Sequence, residues 1–350
     1  GRISYSAPLG ANVGQARSEL AMRLPLKNYR FKPLPDWPAF IGRTGVVDFT
    51  NRRARIDFQK SEFGGLFINR VVAWQPFEYS SQINLRGDLV GDASTAIQIL
   101  DAAGVKPDAL GSKIALEGSL KGDVRLEIPL GQRPEGSVFL EAQDLSVTWE
   151  NLNEPITQVR GRAEYRLNEG LYSDVLTGRL RGDPVEARIT VLGGETDITG
   201  KGRIRSVNFS RFAKIGLTEK QLFGSGEWFF TASASARDGS SLLSLETDGV
   251  GIGTALPYPF DKDPDTIGRI KMTLSNEPSG SSLAVKLFEK TEIRGILDTT
   301  PLVLEVITPR IDLFGWATLP SLGTGVGNLS LLLRTEQLLL GDVPLAVSET

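Results

Sequence analysis

The sequence contains no cysteine and no histidine. Without cysteine there are no disulfides, thiol nucleophiles, iron–sulfur clusters or thiolate zinc sites. Without histidine there is no Ser-His-Asp or Cys-His catalysis and no imidazole metal ligand. Positive charge is not in excess: 39 Lys+Arg stand against 42 Asp+Glu, a formal net charge of -3. The basic footprint that nucleic acid requires is therefore missing, and nucleic acid is not an expected partner. No apolar run reaches the roughly 18 residues of a membrane helix. The densest candidate, Leu329 to Leu340, is interrupted by Arg334 and Glu336. The chain opens at Gly1 with neither Met nor a charged-then-apolar leader, so the expectation is a mature or internal piece without a signal peptide. What remains open is carboxylate, Lys or Tyr chemistry, oxygen-ligated Mg²⁺ or Ca²⁺, or no chemistry at all.

What is present is alternation. Val159, Gly161, Ala163, Tyr165 and Leu167 share one face of an extended segment, and Arg160, Arg162, Glu164 and Arg166 share the other. Val185, Ala187, Ile189 and Val191 alternate in the same way with Glu186, Arg188 and Thr190. The pattern recurs in Ile114, Leu116, Gly118 and Leu120, in Val124, Leu126, Ile128 and Leu130, and in Leu283, Val285 and Leu287. Turn signals separate these runs: Gly122-Asp123, Asn168-Glu169-Gly170, Gly182-Asp183-Pro184, Gly193-Gly194 and Arg237-Asp238-Gly239.

Helical signals are few. Asp92 can cap a segment from Ala93 to Ala103 with Ile97 and Leu100 apolar and Gly104 ending it, and Asn208 can cap a short turn ended by Gly216. Pro33 to Pro38 and Pro257 to Pro264 interrupt the strands. The expected fold is mainly β, an antiparallel meander with one or two short helices. It is taken as one continuous segment, 1–350, with a subdivision into 1–153 and 154–350 at the link from Asn151 to Pro155 as the alternative. One face of the strands is apolar, the other charged, and few helices are available to cover the first. Either the sheet folds onto itself or it curls into a trough. Period 2 alone leaves both open.

Motifs for chemistry are weak. Asp261, Asp263 and Asp265 resemble a calcium loop, but Thr266 and Met272 stand where the loop needs Gly and Glu, and Pro264 stiffens its middle. The string reads as a solvated loop, and no metal is expected. Gly249, Gly251 and Gly253, and likewise Gly323, Gly325 and Gly327, lack the third glycine of a dinucleotide fingerprint and read as bulges or tight turns. Glu127, Glu141, Glu164 and Glu186 sit mostly on the charged side of their strands, where a carboxylate is a solvated group. Trp37, Trp74, Trp149, Trp228 and Trp316 are dispersed, as packing residues are.

Several segments together resemble the AsmA-like superfamily, and within it the YhdP family of large bacterial envelope proteins. They are Asp36-Trp37-Pro38, the stretch Gly118 to Leu130, the run Val159 to Ile189, the turn Val207 to Leu217, and Gly249 to Phe260 followed by Lys262. The resemblance covers nearly the whole chain. It implies a long twisted antiparallel sheet curled into an apolar groove, in a Gram-negative periplasmic protein tethered to the inner membrane. It also implies phospholipids or other acyl lipids as cargo moving to the outer membrane, with envelope proteins as partners at the two ends. Neither catalytic residues nor a cofactor are implied, and the family's membrane anchor is not seen in this stretch.

On that reading the groove is lined by Ile114, Leu116, Leu120, Val124, Leu126, Ile128, Val159, Ala163, Tyr165, Leu167, Val185, Ala187, Ile189, Val191, Leu283, Val285 and Leu287. Small inward residues such as Gly161 and Ala163 would leave room for an acyl chain. Two other readings compete: an envelope scaffold that binds partners by strand addition, and a secreted carbohydrate-active β protein working through paired carboxylates.

Overall fold

A computed structural model describes residues 1–6, 19–32, 38–77, 82–102, 114–129, 134–149, 155–208, 218–298, 302–312, 329–339 and 344–346. The fold is mainly β, with antiparallel pairing nearly throughout. The residues fall into two compact units, Gly1–Val147 with Gln158–Asp174, and Thr148–Thr157 with Val175–Thr350.

The first unit contains β1 (Arg2–Ser6), β2 (Glu19–Phe31), β3 (Phe40–Thr50), β4 (Arg53–Phe63), β5 (Leu66–Pro76) and β6 (Gln82–Asp92). Then come α1 (Ala93–Ala102), β7 (Ile114–Glu117), β8 (Ser119–Pro129), β9 (Glu135–Trp149), β10 (Ile156–Arg166) and β11 (Gly170–Ser173). From β1 to β6 each strand pairs antiparallel with the next, and β6 then pairs with β8 and β8 with β9. The cap of α1 forms as expected: Ser94 N donates to Asp92 Oδ1 at 2.8 Å. The helix packs over the β4–β5 turn, where Ile99 lies against Gly64. Gly104 lies outside the described residues.

One expected turn is absent. Gly122 and Asp123 lie inside β8, paired with Leu89 and Asp88. The break falls instead at Gly118, whose φ is +112°. A side chain there would meet the Asp144 carbonyl at 2.8 Å, so β7 and β8 are separated by a close backbone approach and not by a hairpin.

The second unit contains β12 (Leu176–Leu180), β13 (Asp183–Leu192), β14 (Glu195–Arg205), β15 (Leu222–Ser235), β16 (Ser241–Thr247), β17 (Ile252–Thr254) and β18 (Ile270–Glu277). They are followed by β19 (Gly280–Leu287), β20 (Thr291–Ile296), β21 (Leu302–Asp312), β22 (Leu329–Leu339) and β23 (Pro344–Ala346). Strands β12 to β16, then β18 to β21, form an antiparallel meander. The β21–β22 pair is parallel.

A second helix begins at Ser206, two residues before the expected cap. Asn208 lies within this helix start. Its amide donates to Asp183 Oδ2 at 2.8 Å, and Asp183 also accepts from Arg205 N and Arg205 Nε, both at 2.8 Å. This buried carboxylate is fully partnered, and its work is to hold the helix start against β13. The expected turn beyond Asn208, the segment at Asp36-Trp37, the link at 151–154, Trp316 and the glycines at 323, 325 and 327 lie outside the described residues.

Gly200 and Gly295, on the apolar face of the second unit, do not leave notches. A Cβ at Gly200 would meet the Glu186 carbonyl and Phe230 Cζ, each at 2.3 Å, and one at Gly295 would meet Leu304 Cδ2 at 2.4 Å. At both positions the side chain of the cross-strand neighbour occupies the space over the glycine. Gly200→Ala is therefore expected to lose about 2 kcal/mol, because a backbone carbonyl has little room to yield. A urea midpoint within error of wild type would contradict this packing.

Candidate functional site

Register turns local alternation into long rows. In the second unit, Ile189 pairs with Ile198, Ile198 with Ala232, Ala232 with Leu243, Leu243 with Leu274, Leu274 with Leu283, Leu283 with Gly295 and Gly295 with Leu304. A neighbouring row runs Ala187, Gly200, Phe230, Leu245, Met272, Val285, Ile293, Val306. Partners across a ladder point to the same side of the sheet, so each row is a continuous apolar strip perpendicular to the strands. At about 4.8 Å per strand, the steps from β13 to β21 that the row crosses span about 34 Å.

The strips have a polar border on one side, where the pairing continues through Val191, Thr196, Ala234, Ser241, Asn276 and Ser281. On the other side Val185, Gly202 and Trp228, then Thr247, Ile270, Leu287 and Thr291, form a mainly apolar row, in which the buried hydroxyls of Thr291 and Thr308 lie 3.1 Å apart.

Most of the strip is half-buried. Ile189, Ile198, Phe230, Leu243, Met272, Leu274, Leu283, Val285, Leu287, Ile293 and Leu304 are all intermediate in exposure. The dense part is a smaller cluster of Val185, Ile204, Leu222, Trp228, Leu245 and Ile252. Inner faces of a closed sandwich interdigitate with a second sheet and are buried along their length. This face is buried only in part.

In the first unit the corresponding rows are Leu24, Val47, Ile56, Ala73, Leu85, Leu126, Gly136 and Leu26, Gly45, Phe58, Val71, Gly87, Val124, Val138. The packing is denser here. Phe40, Phe58, Phe63, Ile68, Val71, Leu85, Leu126, Ile128, Tyr165 and Leu167 form one buried cluster. Tyr29 stacks on Phe58 at 4.2 Å and Phe40 on Phe63 at 4.4 Å.

The residues singled out from the sequence divide between these two faces. Leu116, Leu120, Val124, Leu126, Ile128, Val159, Ala163, Tyr165 and Leu167 lie in the first unit, and Val185, Ala187, Ile189, Val191, Leu283, Val285 and Leu287 in the second. The side chain of Ile114 lies outside the described residues. Sequence reasoning missed most of β2 to β5, and the cause is visible in the pairing. Asn28, Arg43, Lys60 and Asn69 each drop out of the ladder at the same level of adjacent strands. Each strand carries one extra residue there, so the inward positions step by three (Phe58 to Ser61, Val71 to Ile68) and a strict period-2 search loses the phase.

The chemistry candidates resolve into structure. Lys262 is 8% exposed. Its ammonium donates to the carbonyls of Gly249 at 2.7 Å, Ile252 at 2.9 Å, Asp263 at 3.0 Å and Thr266 at 2.8 Å. The cation that the Asp261–Asp265 string suggested is thus a covalent one. Burial lowers the Lys262 pKa, while Asp263, Asp248 and Asp265 work to raise it. Among the described residues no group of three or more carboxylates could hold a metal ion. Glu127, Glu141 and Glu186 are exposed, and Glu164 is tied to Arg166 at 3.0 Å. No helix among the described residues is long and apolar enough to cross a membrane.

No solved structure matches the chain. The intermembrane phospholipid transporter YhdP of Escherichia coli (strain K12) is 24% identical over 193 residues, covering 53% of this chain and 15% of the relative. The chain therefore spans a small part of that protein's length. The model of the family described as YhdP protein matches residues 6–308, a range that takes in both apolar faces and the Lys262 loop. A match of that extent shows that the chain belongs to the YhdP family.

Proposed function

We propose that this chain is a non-enzymatic segment of a lipid-conducting bridge, with its apolar faces forming the floor of a groove along which phospholipid acyl chains move. The observation that carries the reading is the half-buried strip of the second unit, continuous across its strands and bordered on one side by hydroxyl and amide groups. Exposing an acyl chain to water costs about 0.8 kcal/mol per methylene, or about 12 kcal/mol for roughly sixteen carbons. A floor without interruption removes most of that barrier. Aliphatic residues repeated strand after strand bind uniformly, and a deep local well would instead trap the cargo.

The Escherichia coli relative, an intermembrane phospholipid transporter, supports the same reading. On this reading the segment works in the periplasm, its tether to the inner membrane lies elsewhere in the full protein, and envelope proteins meet its two ends. A photo-crosslinking residue at Ile189 or Val285 is expected to give phospholipid adducts in cells, and one at Arg188 or Lys286 on the opposite face is not. Equal adducts from both sets, or none from either while partner proteins are captured, would replace the conduit with a scaffold.

A further inference from the structure

The in-register bulges of β2 to β5 have a second consequence, on the charged face of the first unit. A surface concavity of about 550 Å³ opens over them. Its lining includes Arg30, Arg43 and Lys60 against a single carboxylate, Glu62. Three cations face one anion, and no ion pair ties any of them among the described residues. Arg70, one strand further, is different: it is held by Asp57, with Nε donating to Oδ1 at 3.1 Å. Asn28 and Lys60 take left-handed backbone within their strands, with φ of 49° and 51°. Two apolar side chains share the lining, Ile41 at 49% and Phe67 at 50% exposure.

We propose that this concavity is a phosphate-binding site, taking a phosphate group on Arg30, Arg43 and Lys60. Arg guanidinium binds phosphate oxygens through paired N–H donors and Lys binds as a point charge. Ile41 and Phe67 suit the first carbons attached to the phosphate when it is the headgroup of a lipid. The site lies on the face opposite the proposed groove and stands whether or not that groove carries lipid.

The test is calorimetric titration with three probes: inorganic phosphate, glycerol 3-phosphate and dihexanoyl phosphatidylglycerol. Wild type is compared with the double variant Arg43→Gln/Lys60→Asn, with Arg30→Gln, and with Arg188→Gln as a control on the other unit. Asn tolerates the left-handed backbone at position 60, so the double variant removes charge without adding strain. Arg30→Gln leaves the bulge residues untouched and covers the case in which the double variant does not fold. The expected result is binding of at least one probe, weakened tenfold or more by either site variant and unchanged in the control. Binding of inorganic phosphate assigns the site to a free anion, and binding of the lipid probe alone assigns it to a headgroup. No binding by any probe, or equal losses in the site variants and the control, overturns the proposal.

Discussion

Replacing Lys262 by Met is expected to destabilise the second unit by about 3–5 kcal/mol, because each buried carbonyl left without its donor costs about 1–3 kcal/mol. The substitution keeps the length of the side chain and deletes only the ammonium. Four carbonyls, those of Gly249, Ile252, Asp263 and Thr266, then lose their shared donor inside a loop that has no space for a replacement. Gly249 and Gly268 close against the lysine stem, where an added Cβ would meet Lys262 Cε at 3.0 Å and 2.6 Å. Relief of the ammonium's desolvation works the other way, but hydrogen bonds to a charged group contribute about 1.5–3 kcal/mol each, and several are lost together. The measurement is the denaturant midpoint, with exposed Lys271→Met as the comparison, expected within about 0.5 kcal/mol of wild type. Similar midpoints for the two variants would show that the cage contributes nothing.

Val285→Asp should abolish most lipid passage while leaving the fold in place. Val285 is half-buried in the middle of the strip, between Met272 and Ile293. A carboxylate placed where acyl chains must pass costs about 3 kcal/mol, by analogy with its cost at the centre of a bilayer. That corresponds to roughly a hundredfold slower transfer. Aspartate is the right probe because it is short, whereas a lysine would swing its charge to the polar border. Lys286→Asp, one residue along on the charged face, should leave transfer unchanged. The readout is phospholipid transfer by the full-length protein carrying each substitution, with thermal unfolding as the check on folding. Equal transfer by both variants would mean that lipid does not travel over this face.

Much of the architecture is legible without coordinates. The alternation in Val159–Leu167 and Val185–Val191 gives strands with one apolar and one charged side, and Asp92 marks the start of α1. The same reasoning failed in particular places, each with a physical cause. Gly122-Asp123 has the composition of a turn, yet it pairs with β6 because the neighbouring strand offers a complete ladder. In β2 to β5 the bulges shift the phase of the apolar pattern. The filled space over Gly200 and Gly295 is likewise invisible in a sequence, which does not show whose side chain lies over a glycine.

By itself the sequence determined the class of protein. Absent cysteine and histidine, balanced charge and one-sided alternation leave a β protein with a greasy face and without thiol or imidazole chemistry, since those properties are local and additive along the chain. Only the tertiary structure decided which strand lies beside which, and in what register. Register joins Ile189 to Leu283 through four intervening strands, makes Lys262 the centre of its own loop, and sets the bulged residues side by side. Contacts between residues distant in the chain depend on pairing, and pairing leaves no trace in periodicity.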